Sequence, residues 1–192
     1  MIPSIPGMKA PNFASVCMRS DGSHSDVGLQ DLLANNQWLV LFFYPMDFGY
    51  ISTSELLELS NIKEQLDELN CNVIACSTDS AVIHEKILTV PAHLGGIKGI
   101  KYPLLEDVNG IIAEKYGVLR EGSGYTYRAY FIIDDNGVIR ARTVGDLPVG
   151  LDMNEIVQKV KGLQDTVKQE TWYSKEMEEP VKADETHFPY NS

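Results

Sequence analysis

The chain has 192 residues, of which 44% are hydrophobic and 22% are charged, and its formal net charge is −11. This composition excludes an intrinsically disordered chain and suits one domain of ordinary size. The negative charge argues against binding to nucleic acid or to an anionic membrane, because both repel an acidic protein.

The first seven residues contain no basic stretch followed by an apolar one, and the longest apolar run is too short to span a bilayer. The three cysteines, Cys17, Cys71 and Cys76, are too few and too irregular for a disulfide framework. We therefore expect a reducing compartment, the cytoplasm. Because no cysteine or histidine has metal-ligand spacing, we also expect no metal and no cofactor.

Strand and helix signals alternate along the chain, which is typical of an α/β fold. The apolar run Trp38–Tyr44 predicts a strand buried on both faces. Apolar residues spaced three and four apart between Leu56 and Leu69 predict an amphipathic helix, and Asn72–Ser77 predicts a second buried strand. This order predicts a right-handed crossover between two parallel strands.

The second half of the chain contains a third strong strand, Arg128–Ile133, followed by a hairpin. The turn Asp134–Gly137 contains an Asn-Gly pair, which accepts positive φ, and Val138–Val144 alternates as an exposed strand does. Weaker signals predict a helix and loop over Ala81–Leu94, an extended piece at Tyr102–Leu105 and a short helix over Gly110–Tyr116.

An amphipathic helix is predicted over Met153–Leu163, and from Asp165 onward its pattern fails. We therefore expect one domain at residues 1–164 and an extended arm or tail at residues 165–192. Aromatic residues at 172 and 173 could anchor such an arm, because isolated aromatic side chains in a polar tail often dock.

The loop between the first buried strand and the helix after it is the most informative stretch, Phe42–Glu55. Sites gather at the carboxyl ends of strands in α/β sheets, and a helix N-terminus stabilises negative charge. A cysteine in that first helical turn would become a reactive thiolate. The position is Ser52, and Ser52 with Glu55 fits the S-x-x-E pattern of a capping box.

This loop resembles the active-site loop of typical two-cysteine peroxiredoxins, whose pattern is roughly F-F-Y-P-L-D-F-T-F-V-C-P-T-E. Other motifs of that family are resembled, within residues 8–164, by Ala10–Phe13, Ser77–Ser80 with His84, Gly95–Gly96, Tyr127–Asp134 and Asp146–Gly150. The chain is identified as a divergent member of the AhpC/TSA type. The resemblance implies a thioredoxin fold, with a central mixed sheet flanked by helices and an extended C-terminal arm.

The aligned site lacks the residues on which the family's chemistry depends. The resemblance places the peroxidatic cysteine at Ser52, the peroxide-contacting threonine at Gly49 and the resolving cysteine near Tyr173. Thr53 stands where the family has the proline that follows the peroxidatic cysteine. Leu151 stands where the family has the arginine that follows the D-L-P-V-G motif. The surviving residues of the aligned site are Pro45, Glu55 and Arg128.

A serine at position 52 cannot supply a thiolate, because an arginine and a helix N-terminus shift a pKa by only a few units. A nucleophilic role in acyl transfer would need a histidine base that the sequence does not place. Without a thiolate, Arg128 needs another partner. Glu55 is the candidate, and a small anion is the alternative. For His84 we expect a structural hydrogen bond.

Two functions remain open. The first is a scaffold, a chaperone-like protein or a subunit that co-assembles with active peroxiredoxin paralogues. The resemblance implies dimers joined through the edge strand Val138–Val144 and rings of dimers up to a decamer. The alternative is a thioredoxin-dependent peroxidase, in antioxidant defence and redox homeostasis, that uses a displaced thiol such as Cys76 or Cys71. We expect the inactive form, with Cys76 as a small buried hydrophobic residue.

Overall fold

The computed structural model describes the backbone of residues 4–178 and the side chains of residues 4–169. The strands are β1 (Ala14–Met18), β2 (His24–Gly28), β3 (Trp38–Phe43), β4 (Cys71–Ser77), β5 (Leu104–Glu106), β6 (Arg128–Ile133) and β7 (Ile139–Gly145). The α-helices are α1 (Leu29–Leu32), α2 (Tyr50–Asn61), α3 (Lys63–Glu68), α4 (Ala81–Thr89), α5 (Ile111–Lys115) and α6 (Asn154–Glu178). Short 3₁₀ turns cover Ala34–Asn36 and Ala92–Leu94.

The seven strands form one mixed sheet in the order β2-β1-β5-β4-β3-β6-β7. The predicted parallel pair is present, with Trp38 of β3 opposite Cys71 of β4 and Phe43 opposite Cys76. Strand β6 runs antiparallel to β3 on its other side. The amino end of β6 therefore lies beside the carboxyl end of β3, which is where the candidate site begins.

The sheet separates two hydrophobic cores. Alternate residues of a strand face opposite sides, so Val40 and Phe42 pack with α2 and α6, whereas Leu39 and Leu41 pack with α1 and α5. Every residue of β3 is buried. The mixed sheet between two helical layers is the predicted fold class. Within residues 4–178, no helix is both long enough and apolar enough to cross a membrane.

The helix predicted over residues 56–69 is two helices. Helix α2 begins earlier than predicted, at Tyr50, and α3 follows it after Ile62. The break does not change which face is buried, because Leu56 and Leu66, on either side of it, lie in the same core. Strand β2 was not predicted, since the sequence His24–Gly28 contains a single large apolar residue.

Helix α6 continues to Glu178, so residues 165–178 are helical and not extended as predicted. The apolar stripe persists past Leu163 because Val167 packs on the same core, and Gln164 donates from Nε2 to the carbonyl of Leu69 at 2.7 Å. The domain division after residue 164 stays a prediction. The side chains of Trp172 and Tyr173 and the segment 179–192 lie outside the described residues.

Candidate functional site

Ser52 lies in the first turn of α2, just beyond the loop that follows β3. The helix begins at Tyr50 with Gly49 as its N-cap, so Ser52 is the third helical residue, and it is 1% exposed. The predicted capping box at Ser52 is therefore wrong. The helix begins before Ser52 because the carbonyl of Gly49 already accepts the N–H of Thr53 at 2.8 Å.

Arg128, the first residue of β6, supplies the positive charge of the site. Its Nη1 donates to the hydroxyl of Ser52 at 3.4 Å and to the carboxylate of Glu55. Its Nε donates to the carbonyl of Leu147 at 3.0 Å. The antiparallel pairing of β6 with β3 brings this guanidinium to the first turn of α2. The site is therefore assembled from residues far apart in the chain.

The ion pair predicted between Glu55 and Arg128 is present and buried, with side chains 3% and 6% exposed. The second carboxylate oxygen of Glu55 accepts the N–H of Leu151 at 2.8 Å. Burial raises the pKa of Glu55, against the opposing effects of the Leu151 N–H and the Arg128 charge. Such a pair persists only when both charged groups are well hydrogen-bonded, as they are here.

The loop that contains the D-L-P-V-G motif closes the site from the side of β7. It contributes the carbonyl of Leu147 to Arg128 and the N–H of Leu151 to Glu55. Each hydrogen bond described for the guanidinium thus goes to a protein oxygen. This arrangement weighs against a small anion as the main partner of Arg128.

The remaining predicted residues surround Ser52. Pro45 is buried in the loop after β3. A Cβ at Gly49 would lie 3.2 Å from the Ser52 hydroxyl, so a larger residue there would press on it. The hydroxyl of Thr53 donates to the carbonyl of Gly95 at 3.3 Å, which ties the di-glycine loop to the first turn of α2.

A buried polar network holds the loop after β3. His84 is fully buried, with Nδ1 2.8 Å from the carboxylate of Asp47 and Nε2 3.3 Å from the carbonyl of Leu105. The hydroxyl of Tyr44 donates to the other oxygen of Asp47 at 2.8 Å. Burial, with the nearby Asp47 charge, holds the pKa of Tyr44 well above its ordinary value. These contacts fit the structural role expected for His84.

The three cysteines are free and buried. Burial raises the pKa of Cys17 to about 11 and of Cys71 to about 12, and holds that of Cys76 well above 9.0. Cys76 packs in the core with α1 and α5, on the face of the sheet opposite to α2. Cys71 pairs with Trp38 at the far end of β3. The alternative thiols are therefore not brought to the site.

Residues 6–142 match the AhpC/TSA family model. The chain belongs to the AhpC/TSA family. It is 36% identical to peroxiredoxin-1 of Gallus gallus over 162 residues, which are 84% of this chain and 80% of the relative. The structure of reduced 2-Cys peroxiredoxin from Plasmodium vivax superposes with a TM-score of 0.82 at 31% identity, covering 86% of this chain and 85% of that one.

A second structural neighbour is Plasmodium yoelii Prx1a modified at the N-terminus, which forms an artifactual octamer. It superposes with a TM-score of 0.78 at 31% identity and covers 84% of this chain and 92% of that one. These similarities make the thioredoxin fold of the peroxiredoxin type a property of this AhpC/TSA chain. The range matched by the family model includes Ser52, Glu55 and Arg128 of the candidate site.

The structure adds groups that the sequence reasoning missed in this AhpC/TSA site. The partners of the ion pair include a backbone carbonyl and a backbone N–H, which no side-chain pattern reveals. Asp47 was also not predicted, although an aspartate in the loop after a buried strand is a usable signal. In residues 4–178, no group of three or more histidine, cysteine or acidic side chains could hold a metal ion.

Proposed function

We propose that this chain is a non-catalytic member of the AhpC/TSA family that acts as a scaffold, or as a chaperone-like or co-assembling subunit. One observation carries the proposal: at the position of the family's reactive thiol stands the hydroxyl of Ser52, bonded to Arg128 in a closed site. The frame around the reactive position is retained, while the group that would react is replaced.

The chemistry of peroxide reduction supports this conclusion. Peroxidases of this kind use a thiolate, which attacks a peroxide oxygen and becomes a sulfenic acid. A serine hydroxyl has no comparable oxidation states, and the positive charges of Arg128 and of the helix N-terminus are too weak to ionise it. The positive charge of Arg128 is already taken up by Glu55. Ser52 therefore accepts a hydrogen bond from Arg128 in place of reacting.

The alternative is a thioredoxin-dependent peroxidase that uses Cys76 or Cys71. Homologues of the chain bear the name peroxiredoxin, which favours this alternative. The burial of both thiols weighs against it, because the thiolate is the reactive form. With a pKa of about 12, roughly one Cys71 thiol in 10⁵ would be ionised at neutral pH. Cys76 is 0% exposed, so peroxide has no direct access to it.

The assembly that we propose rests on two exposed surfaces. Strand β7 is an edge of the sheet, and its first residue, Ile139, is paired with the backbone of Gly7 and Met8. The rest of this edge favours antiparallel pairing with a second copy. A second, apolar surface comprises Phe48, Val82 and Ile83, which are 46%, 71% and 40% exposed. The N–H of Asp47 donates to the Asp79 carboxylate at 2.7 Å. This hydrogen bond links the loop that contains Phe48 to the segment that leads into α4. Such a patch suits contact between dimers in a ring.

The proposed location is the cytoplasm. Cys17, Cys71 and Cys76 are all unpaired, as a reducing compartment would keep them. Under this proposal, partners are copies of the same chain or active peroxiredoxins with a compatible edge strand.

The test is peroxide consumption by the purified chain with thioredoxin and its reductase, beside Ser52→Cys and a triple variant in which all three native cysteines are serine. We expect no turnover by the native chain or the triple variant, and measurable thiol oxidation in Ser52→Cys. Turnover by the native chain that disappears in the triple variant would overturn the proposal and assign the activity to a native thiol.

A further inference from the structure

A cleft of about 700 Å³ lies at the end of the sheet opposite to Ser52. Its walls come from the start of β3, the end of α3, the turn before β7 and the middle of α6. Trp38 and Leu69 contribute apolar surface, and Glu68 and Asp135 contribute carboxylates. We refer to this feature as the distal cleft. Its volume is in the range that holds a small ligand or a single side chain.

The carboxamides of the distal cleft are oriented by the protein itself. Asn70 donates from Nδ2 to the carbonyl of Asn36 at 3.0 Å, and Gln164 donates from Nε2 to the carbonyl of Leu69 at 2.7 Å. A carbonyl can only accept, so each amide nitrogen is fixed towards the protein. Within the described residues, no hydrogen bond reaches the side-chain oxygen of Asn70 or Gln164.

The turn before β7 follows the same rule. Asn136 donates from Nδ2 to the carboxylate of Asp135 at 3.1 Å, which again leaves an amide oxygen as the acceptor. The lining side chains therefore offer two carboxylates and three amide oxygens but one cation, the ammonium of Lys168. The ammonium of Lys9, which is not part of the lining, donates to the backbone carbonyl of Asn136 at 2.6 Å. A surface with this excess of acceptors needs a ligand that is positively charged and rich in donors.

The spread of the acceptors makes a planar cation more suitable than a compact one, and Trp38, which is 6% exposed, adds only a small apolar wall. A guanidinium has five N–H donors in one plane, stacks on aromatic faces and is weakly hydrated. An ammonium has three donors around a point and keeps its water more strongly. The acceptors of the distal cleft come from three separate segments of the chain, so a spread of donors can reach more of them.

We propose that the distal cleft binds the guanidinium group of an arginine, carried either by a peptide or by the free amino acid. Glu68 and Asp135 supply the charge, the amide oxygens of Asn70 and Gln164 accept further N–H groups, and Trp38 provides the apolar wall. The site is independent of Ser52 and of the function proposed above, because it lies at the other end of β3.

The experiment is calorimetric titration of the full chain with Nα-acetyl-arginine amide, beside the neutral isostere Nα-acetyl-citrulline amide. We expect saturable binding of the arginine probe and at least about tenfold weaker binding of the citrulline probe. Glu68→Gln and Asp135→Asn should each weaken binding about five- to tenfold. The matched control Glu121→Gln, which removes an exposed charge outside the cleft, should leave binding unchanged.

A second readout places the ligand in the cleft. Trp172→Phe leaves Trp38 as the one tryptophan, and its fluorescence should change with the same dissociation constant. Tighter binding of the amide than of free arginine supports a peptide-borne source, and the reverse supports the free amino acid. Equal binding of the arginine and citrulline probes, absence of saturation, or indifference to both cleft substitutions would overturn the proposal.

Discussion

The guanidinium of Arg128 donates to the carboxylate of Glu55 in a pair that is almost completely buried, with side chains 6% and 3% exposed. Arg128 begins β6 and Glu55 lies in α2, so the pair ties the helix to the sheet. Next to the pair lies the hydroxyl of Ser52, which accepts a hydrogen bond from Arg128 at 3.4 Å. We expect the pair to stabilise the fold and to hold the loop that closes the site.

Breaking this pair on one side should be costly. Glu55→Gln leaves the Arg128 charge buried without compensation, so we expect the free energy of unfolding to fall by about 3–5 kcal/mol. Urea denaturation followed by circular dichroism measures the change. The double variant Glu55→Gln with Arg128→Met should lose less than the sum of the two single variants.

The exposed pair of Glu64 with Lys101 provides the matched control, and Glu64→Gln should change stability little. A loss for Glu55→Gln as small as that of the control would show that the buried pair does not stabilise the fold.

The stability of the protein should fall at alkaline pH. Burial raises the pKa of Cys17 to about 11 and of Cys71 to about 12, whereas an unfolded thiol titrates near 9.0. The stabilising contribution is therefore complete below about pH 9 and is lost as the pH rises towards the folded values. Tyr44 and Tyr102, whose pKa values burial also raises, act in the same direction.

Each thiol that is ionised only in the unfolded chain lowers the free energy of unfolding by up to about 1.4 kcal/mol per pH unit. Urea denaturation at a series of pH values between about 8 and 10 measures the slope, and Cys71→Ala should make it shallower. A flat profile would mean that the thiols ionise in the folded state, which would favour the peroxidase alternative.

Two glycines should respond in opposite ways to the same substitution. A Cβ at Gly96 would lie 2.1 Å from the carbonyl oxygen of Val90, which is backbone and cannot easily move. Gly96→Ala should therefore destabilise the protein by about 1–3 kcal/mol. Gly162 lies in α6 with nothing within 4 Å of such a Cβ, so Gly162→Ala should stabilise it by about 0.5–1 kcal/mol. Thermal unfolding distinguishes them, and equal effects would contradict the tight contact at Gly96.

The two proposed assembly surfaces can be tested one at a time by placing a charged side chain in each. Val144 on β7 and Ile83 on α4 are 42% and 40% exposed. If β7 pairs two copies of the chain into a dimer, Val144→Glu should yield monomers in sedimentation velocity. If the surface at Ile83 joins dimers into a ring, Ile83→Glu should yield dimers. Ile111→Glu, at an exposed apolar position on α5, is the control and should change neither state. A native chain that sediments as a monomer would contradict both surfaces.

Much of the fold was predictable because its central strands are apolar on both faces. The run Trp38–Tyr44 predicts a strand buried on both faces, and β3 is buried throughout. The end of α6 was not predictable in the same way. The many charged residues in this part of the sequence hide the apolar stripe of the helix. Val167 continues that stripe, because it packs against the core. Helix length there depends on packing against other elements and not on local composition.

The sequence by itself predicted a serine, Ser52, where the family resemblance places a reactive cysteine, and it named Glu55 as the partner of Arg128, because residue types and their order are enough for both. Only the tertiary structure decided that Ser52 is not the helix cap and that Cys76 faces the core away from α2. It also brought Leu147 and Leu151 to the ion pair. Local pattern specifies which groups exist, whereas hydrogen-bond partners and burial depend on which distant segments the folded chain brings together.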